Sequence, residues 1–140
     1  MIYLLAAVGG ALGALARWGL AEALPHSPAD WPWATLLVNL LGCLLIGVLL
    51  AVLLARFPTS PWLRPFLAVG VLGGFTTYST FAVDVLRLTG SGRPALAVAY
   101  VLASVLGGVA AVVVGLVVGR TAVRAAESVD DELRAGEGST

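Results

Sequence analysis

Apolar residues fill this chain in long blocks, at residues 2–21, 33–55, 63–86 and 95–119, with polar positions gathered between them. Each block comes near the roughly 20 residues that a helix rising about 1.5 Å per residue needs to cross about 30 Å of hydrocarbon. The pattern predicts four transmembrane helices. Pro25, Pro28, Pro32, Pro58, Pro61, Pro65 and Pro94 all fall in a connection or at the start of a block, where a missing N–H costs least. Residues 120–140 are polar and of mixed charge, so the chain divides into a membrane domain, 1–119, and a tail, 120–140, expected to fray into solvent. The first block has no basic leader and no small-residue cleavage site, which argues against a removable signal peptide.

One stretch disturbs the pattern. Inside the third block stands GGFTTYSTF, residues 73–81. Gly73 and Gly74 weaken helix continuation, and the hydroxyls of Thr76, Thr77, Ser79 and Thr80 compete for backbone hydrogen bonds. A broken third helix is expected. Non-helical backbone at membrane depth persists only where protein buries it or a hydrated cavity borders it, and broken helices often bind ions at their termini. Freed carbonyls suit a cation, and the amide end of the second half suits an anion. The stretch therefore reads as an ion site.

Other polar groups inside the blocks admit two readings each. Asn39 either glues the bundle through an interhelical hydrogen bond or offers an amide donor to a polar pathway. Tyr100 and Ser104, one turn apart, either line such a pathway or pair within a packed interface. Tyr78 and Phe81, three apart, either aim positive ring edges into a narrow pore or fill the core.

Composition settles the solvent. The 140 residues are 59% hydrophobic and 11% charged, with a mean hydropathy of +0.98, so the fold class is all-α and integral to a membrane. Net charge is zero and all eight basic residues are arginines. Arg56, Arg64, Arg120 and Arg124 flank one side and Arg17, Arg87 and Arg93 the other, an orientation bias weak enough for dual topology. Four helices are few to enclose a pore, and on that reading antiparallel pairing of two copies becomes possible. The alternative buries Arg17 and leaves a single topology. Small residues four apart, Gly9 and Gly13, Gly10 and Ala14, Ser104 and Gly108, Gly115 and Gly119, permit close helix approach in lipid.

Chemistry is sparse. Cys43 is the single cysteine, which excludes an intramolecular disulfide and a cysteine metal site and leaves helix packing. His26, the one histidine, offers no triad and no zinc site. No nucleophile, base and orienting group assemble, so an enzyme is not expected. There is no Walker motif, and neither nucleotide nor nucleic acid is an expected partner.

Three stretches carry a resemblance. GGALGALARW at 9–18, TLLVNLLGCLLIG at 35–47 and GGFTTYSTF resemble the first, second and broken third helices of the Fluc (CrcB) family of fluoride channels. The resemblance implies a fluoride-selective channel in a bacterial-type plasma membrane, built as an antiparallel homodimer with paired fluoride pathways and a structural sodium ion (Na+) at the interface. It implies that Asn39 is a pore amide, that Tyr78 and Phe81 stand where the pore phenylalanines stand, and that Tyr100 and Ser104 belong to a polar track with Thr77 and Ser79 as nearby donors. It further implies that the backbone carbonyls of Gly73 and Thr76 hold the sodium and that Arg17 lies near a vestibule. Departures are Tyr78 for phenylalanine, Leu44 and Ala34 for a phenylalanine and a glycine, and Gly108 where the track often has a hydroxyl. Competing readings are a small multidrug/proton antiporter, which needs an embedded carboxylate, and a non-transporting assembly subunit; in or near the spans only Glu22 and Asp84 are acidic, each towards an end.

Overall fold

A computed structural model describes residues 1–137. Helix α1 is Ile2–Ala23 and α2 is Trp33–Arg56. The third crossing opens as a wide π-helical segment, Arg64–Leu72, which runs directly into the short α3, Gly73–Phe75. After two non-helical residues it resumes as α4, Tyr78–Gly90, and α5 is Pro94–Glu137. Among the described residues four helical stretches are long and apolar enough to cross a membrane: Ile2–Ala23, Trp33–Arg56, Arg64–Gly90 and Pro94–Val129. Their outward faces carry large apolar side chains such as Leu12, Leu54, Val69, Leu86 and Val113, all exposed. A surface of that kind belongs in hydrocarbon.

Residue chemistry sets the ends. Pro65 stands in the first turn of the π-helical segment and Pro94 opens α5, where a fixed φ suits helix entry and the absent N–H had no partner to lose. Gly92 takes φ 75°, the left-handed conformation that reverses the chain between α4 and α5. The polar tail departs from expectation, because α5 continues unbroken to Glu137. Between Gly119 and Gly136 there is neither glycine nor proline, and a hydrogen-bond ladder already nucleated within the span extends cheaply through alanine, arginine and glutamate.

Two helix pairs make up the bundle. α2 packs along α5, and α1 packs along the π-helical segment and α3. The third crossing begins against α1, yet its second half, α4, rests on α5. Glycine makes the first pairing possible: a Cβ at Gly13 would strike the Val71 carbonyl oxygen and come within 2.8 Å of the Phe75 nitrogen, and one at Gly70 would come within 2.9 Å of the Gly9 Cα. Without a hydrophobic drive between helices in lipid, that backbone approach supplies the dispersion contact that holds them.

Gly13→Ala should therefore cost about 1–3 kcal/mol through overpacking, read as a lower thermal midpoint in detergent. Gly19→Ala, whose added Cβ meets nothing within 4 Å, should be neutral or slightly stabilising. Equal midpoints for the two variants would contradict the packing account.

Candidate functional site

The site forms where the third crossing stops being helical. Thr76 has φ −74° and ψ 157°, and Thr77 has φ −148° and ψ 118°, both extended. The Thr76 N–H still donates to the Leu72 carbonyl at 2.9 Å, but the N–H groups that follow need new partners. In an uninterrupted helix Thr77 would donate to the Gly73 carbonyl and Thr80 to the Thr76 carbonyl. Instead the Thr77 N–H donates to Asn39 Oδ1 at 2.9 Å, and the Thr80 N–H donates to Thr77 Oγ1 at 3.1 Å as an N-cap on α4. Asn39 completes the exchange by donating from Nδ2 to the Thr77 carbonyl at 3.0 Å. The helical donors of Gly73 and Thr76 are thus diverted, and both carbonyl oxygens are released.

The neighbouring carbonyl is taken. Arg17, half-buried on α1, donates from Nε to the Gly74 oxygen at 3.2 Å. Thr76 bonds its hydroxyl to the Leu72 carbonyl at 2.9 Å. Thr77 donates to the Thr80 hydroxyl at 2.9 Å and shares a 3.3 Å contact with the exposed Ser79 hydroxyl.

Beside the extended pair lies an open groove of about 520 Å³. It is lined by Asn39 and Cys43 from α2, by Gly73, Thr76 and Thr77, by Tyr78 and Phe81 from α4, and by Ser104 from α5. The walls are mostly apolar, and their polar groups are neutral. Tyr78 and Phe81 stack with centroids 6.0 Å apart, Tyr78 remaining 81% exposed while Phe81 leans on Tyr100 at 5.4 Å. Tyr100 is fully buried behind Phe81, edge-on to Trp31 at 5.7 Å. The Tyr100 and Ser104 hydroxyls are buried beside one another, with Thr35 also near Tyr100, and neither makes a well-formed hydrogen bond.

Most of the expected site residues meet at this groove. Asn39, Gly73, Thr76, Thr77, Tyr78, Phe81 and Ser104 share it. Ser79 joins through Thr77, Tyr100 stands behind Phe81, and Arg17 lies on the α1 side of the crossing.

Sequence reasoning missed a second polar cluster. Thr35 donates to Asp84 Oδ2 at 2.7 Å, both side chains being buried. Asp84 Oδ1 lies 3.7 Å from His26 Nε2 and 3.7 Å from Arg87 Nη1, so His26 has a neighbour that its isolation in the sequence did not suggest. Register was the available signal: Thr35 is one turn before Asn39, and Asp84 is one turn after Phe81. Among the described residues no group of His, Cys, Asp and Glu side chains could hold a metal ion.

Known proteins resemble the chain over most of its length. The family profile described as "CrcB-like protein, Camphor Resistance (CrcB)" matches residues 4–116. The "Fluoride-specific ion channel FluC 2" of Thermobifida fusca is 52% identical over 99 residues, 71% of this chain and 73% of its own. The "Fluoride-specific ion channel FluC" of Stutzerimonas stutzeri is 52% identical over 103 residues, 71% of this chain and 81% of its own. That of Saccharophagus degradans is 42% identical over 105 residues, 75% and 79% of the two chains.

If Asn39 holds the extended pair, Asn39→Leu should orphan the Thr77 N–H at a cost of about 2 kcal/mol, while the Thr77 carbonyl, as the N-cap of α4, keeps the first bond of that helix. The checks are a lower thermal midpoint and faster hydrogen exchange at the Thr77 amide. Ser104→Ala, which leaves the Asn39–Thr77 bonds in place, should leave the exchange unchanged. Protection of Thr77 in the leucine variant would remove Asn39 from this role.

Proposed function

This chain belongs to the CrcB family, and from that premise we propose that it is a fluoride channel which lowers cytoplasmic fluoride by passive outward flow. The observation that carries the reading is the groove beside Thr76 and Thr77, with neutral polar groups and the rings of Tyr78 and Phe81 along it and no fixed charge among its lining residues. Fluoride is small and tightly hydrated, so a selective path must replace water with several preorganised donors while no single site binds too deeply. The second N–H of Asn39, the buried Ser104 and Tyr100 hydroxyls and the ring of Phe81 meet that need better than arginines would. The chain is a multi-pass membrane protein of the cell membrane, and its relatives are named as channels, not enzymes.

Several finer elements belong to this proposal. The extended pair is the helix break of the family's pore. A second, antiparallel copy closes the open groove against the exposed Tyr78. The released carbonyls of Gly73 and Thr76 fit sodium, a hard cation that favours neutral oxygen, and two copies would bring four such oxygens together. A bound Na+ would supply positive charge that ties the two breaks; nothing in the flow of fluoride passes through it here. Undissociated hydrogen fluoride enters through lipid and ionises inside, and a membrane negative inside then drives the anion out with about 2.3 kcal/mol per charge per 100 mV. An antiporter is less well supported, because Asp84, the buried carboxylate, is hydrogen-bonded to Thr35 outside the groove lining.

Purified protein in liposomes should release fluoride rapidly and chloride slowly under a potassium-set voltage. Asn39→Asp should cut the fluoride flux about tenfold or more, since a fixed negative charge a few ångströms from the path repels the anion by several kcal/mol at low dielectric. Absence of fluoride flux would reject the channel, and normal flux in the aspartate variant would remove Asn39 from the path.

A further inference from the structure

Three helices repeat one step outward from the groove. On α2, Asn39 gives way one turn earlier to Thr35; on α4, Phe81 gives way one turn later to Asp84; on α5, Ser104 gives way one turn earlier to Tyr100. The steps converge, for Thr35 bonds Asp84 and Tyr100 leans on Phe81. One further turn along α4 stands Arg87, half-exposed, and opposite it His26 reaches in from the loop between α1 and α2. Asp84 is 1% exposed, and its Oδ1 accepts no hydrogen bond although His26 Nε2 and Arg87 Nη1 each lie 3.7 Å away.

We propose that His26, Asp84 and Arg87 form a proton-sensitive mouth to the anion path, in which protonation of His26 speeds fluoride flow. The proposal rests on the channel reading above. Among the described residues, the charged or titratable groups that meet this carboxylate are His26 from the loop, Arg87 from α4 and Tyr100 from α5; α2 contributes the neutral Thr35.

The electrostatics follow from formal charge. With His26 neutral, Asp84 and Arg87 cancel, and the mouth offers a passing anion no net attraction. Arg87 points partly to water, where its field is screened, so the buried carboxylate is the less screened of the two charges. Protonated His26 turns the cluster net positive and places a second cation against the oxygen that lacks a hydrogen bond. His26 is only 21% exposed, yet that opening admits protons from the adjoining water. Acid conditions are also those under which hydrogen fluoride enters fastest, so the device would open the path as the load rises. His26 acts through Asp84 and is a positioning residue for charge, with no contact to the ion itself required.

The test compares fluoride efflux from proteoliposomes at symmetric pH, subtracting protein-free liposomes. Wild type should speed up about threefold or more between about pH 7.5 and about pH 5.5. In His26→Gln the ratio of the two rates should fall to near one. His26→Lys should also give a ratio near one, with flux at the higher pH raised several-fold above His26→Gln. A wild-type ratio near one, or a persistent rise in His26→Gln, overturns the acid-sensing mouth while leaving the channel standing. Loss of fluoride flux at both pH values in wild type overturns the channel, and the mouth with it.

Discussion

A single side-chain amide holds the local architecture together. Asn39 gives the Thr77 N–H an acceptor and the Thr77 carbonyl a donor, at 2.9 and 3.0 Å. In hydrocarbon the alternative for the N–H is no partner, which costs several kcal/mol, whereas the carbonyl, as the N-cap of α4, also accepts the first bond of that helix. Asn39 thereby lets the backbone remain extended at membrane depth. The same two bonds divert Thr77 from Gly73, and the Thr77 side chain in turn diverts Thr80 from Thr76.

That extended pair has a packing consequence. A straight third crossing would have to keep one set of neighbours along its whole length. Here the first half seats on α1 through interlocked glycines, and the second half seats on α5. The change of partner opens space between α2, α4 and α5, and the groove occupies it. Arg17 fastens the near side by taking the Gly74 carbonyl, so the released oxygens are those of Gly73 and Thr76. Packing and chemistry are linked at this one point in the chain.

The sequence made the four crossings legible because length and apolarity are local properties, and the stretches Ile2–Ala23, Trp33–Arg56, Arg64–Gly90 and Pro94–Val129 each begin within about one residue of the block from which they were expected. Helix periodicity placed Tyr78 with Phe81 and Tyr100 with Ser104. What spacing could not reveal was pairing across the fold. Thr35 and Asp84 are separated by 49 positions, and Asn39 and Thr77 by 38. His26 looked isolated because its neighbour lies on another helix. The helical continuation past residue 119 was hidden for a different reason, since polarity measures solvent preference and says little about backbone hydrogen bonding within an already nucleated helix. The wide winding of Arg64–Leu72 has no sequence signature that we recognise.

The central claim is that neutral dipoles beside Thr76 and Thr77 select fluoride. Its most direct test is the reversal potential of the protein in a planar bilayer with fluoride on one side and an equal concentration of chloride on the other. The account predicts a reversal far from zero, on the side set by fluoride permeation alone. A reversal near zero, with both anions carrying current, would contradict it.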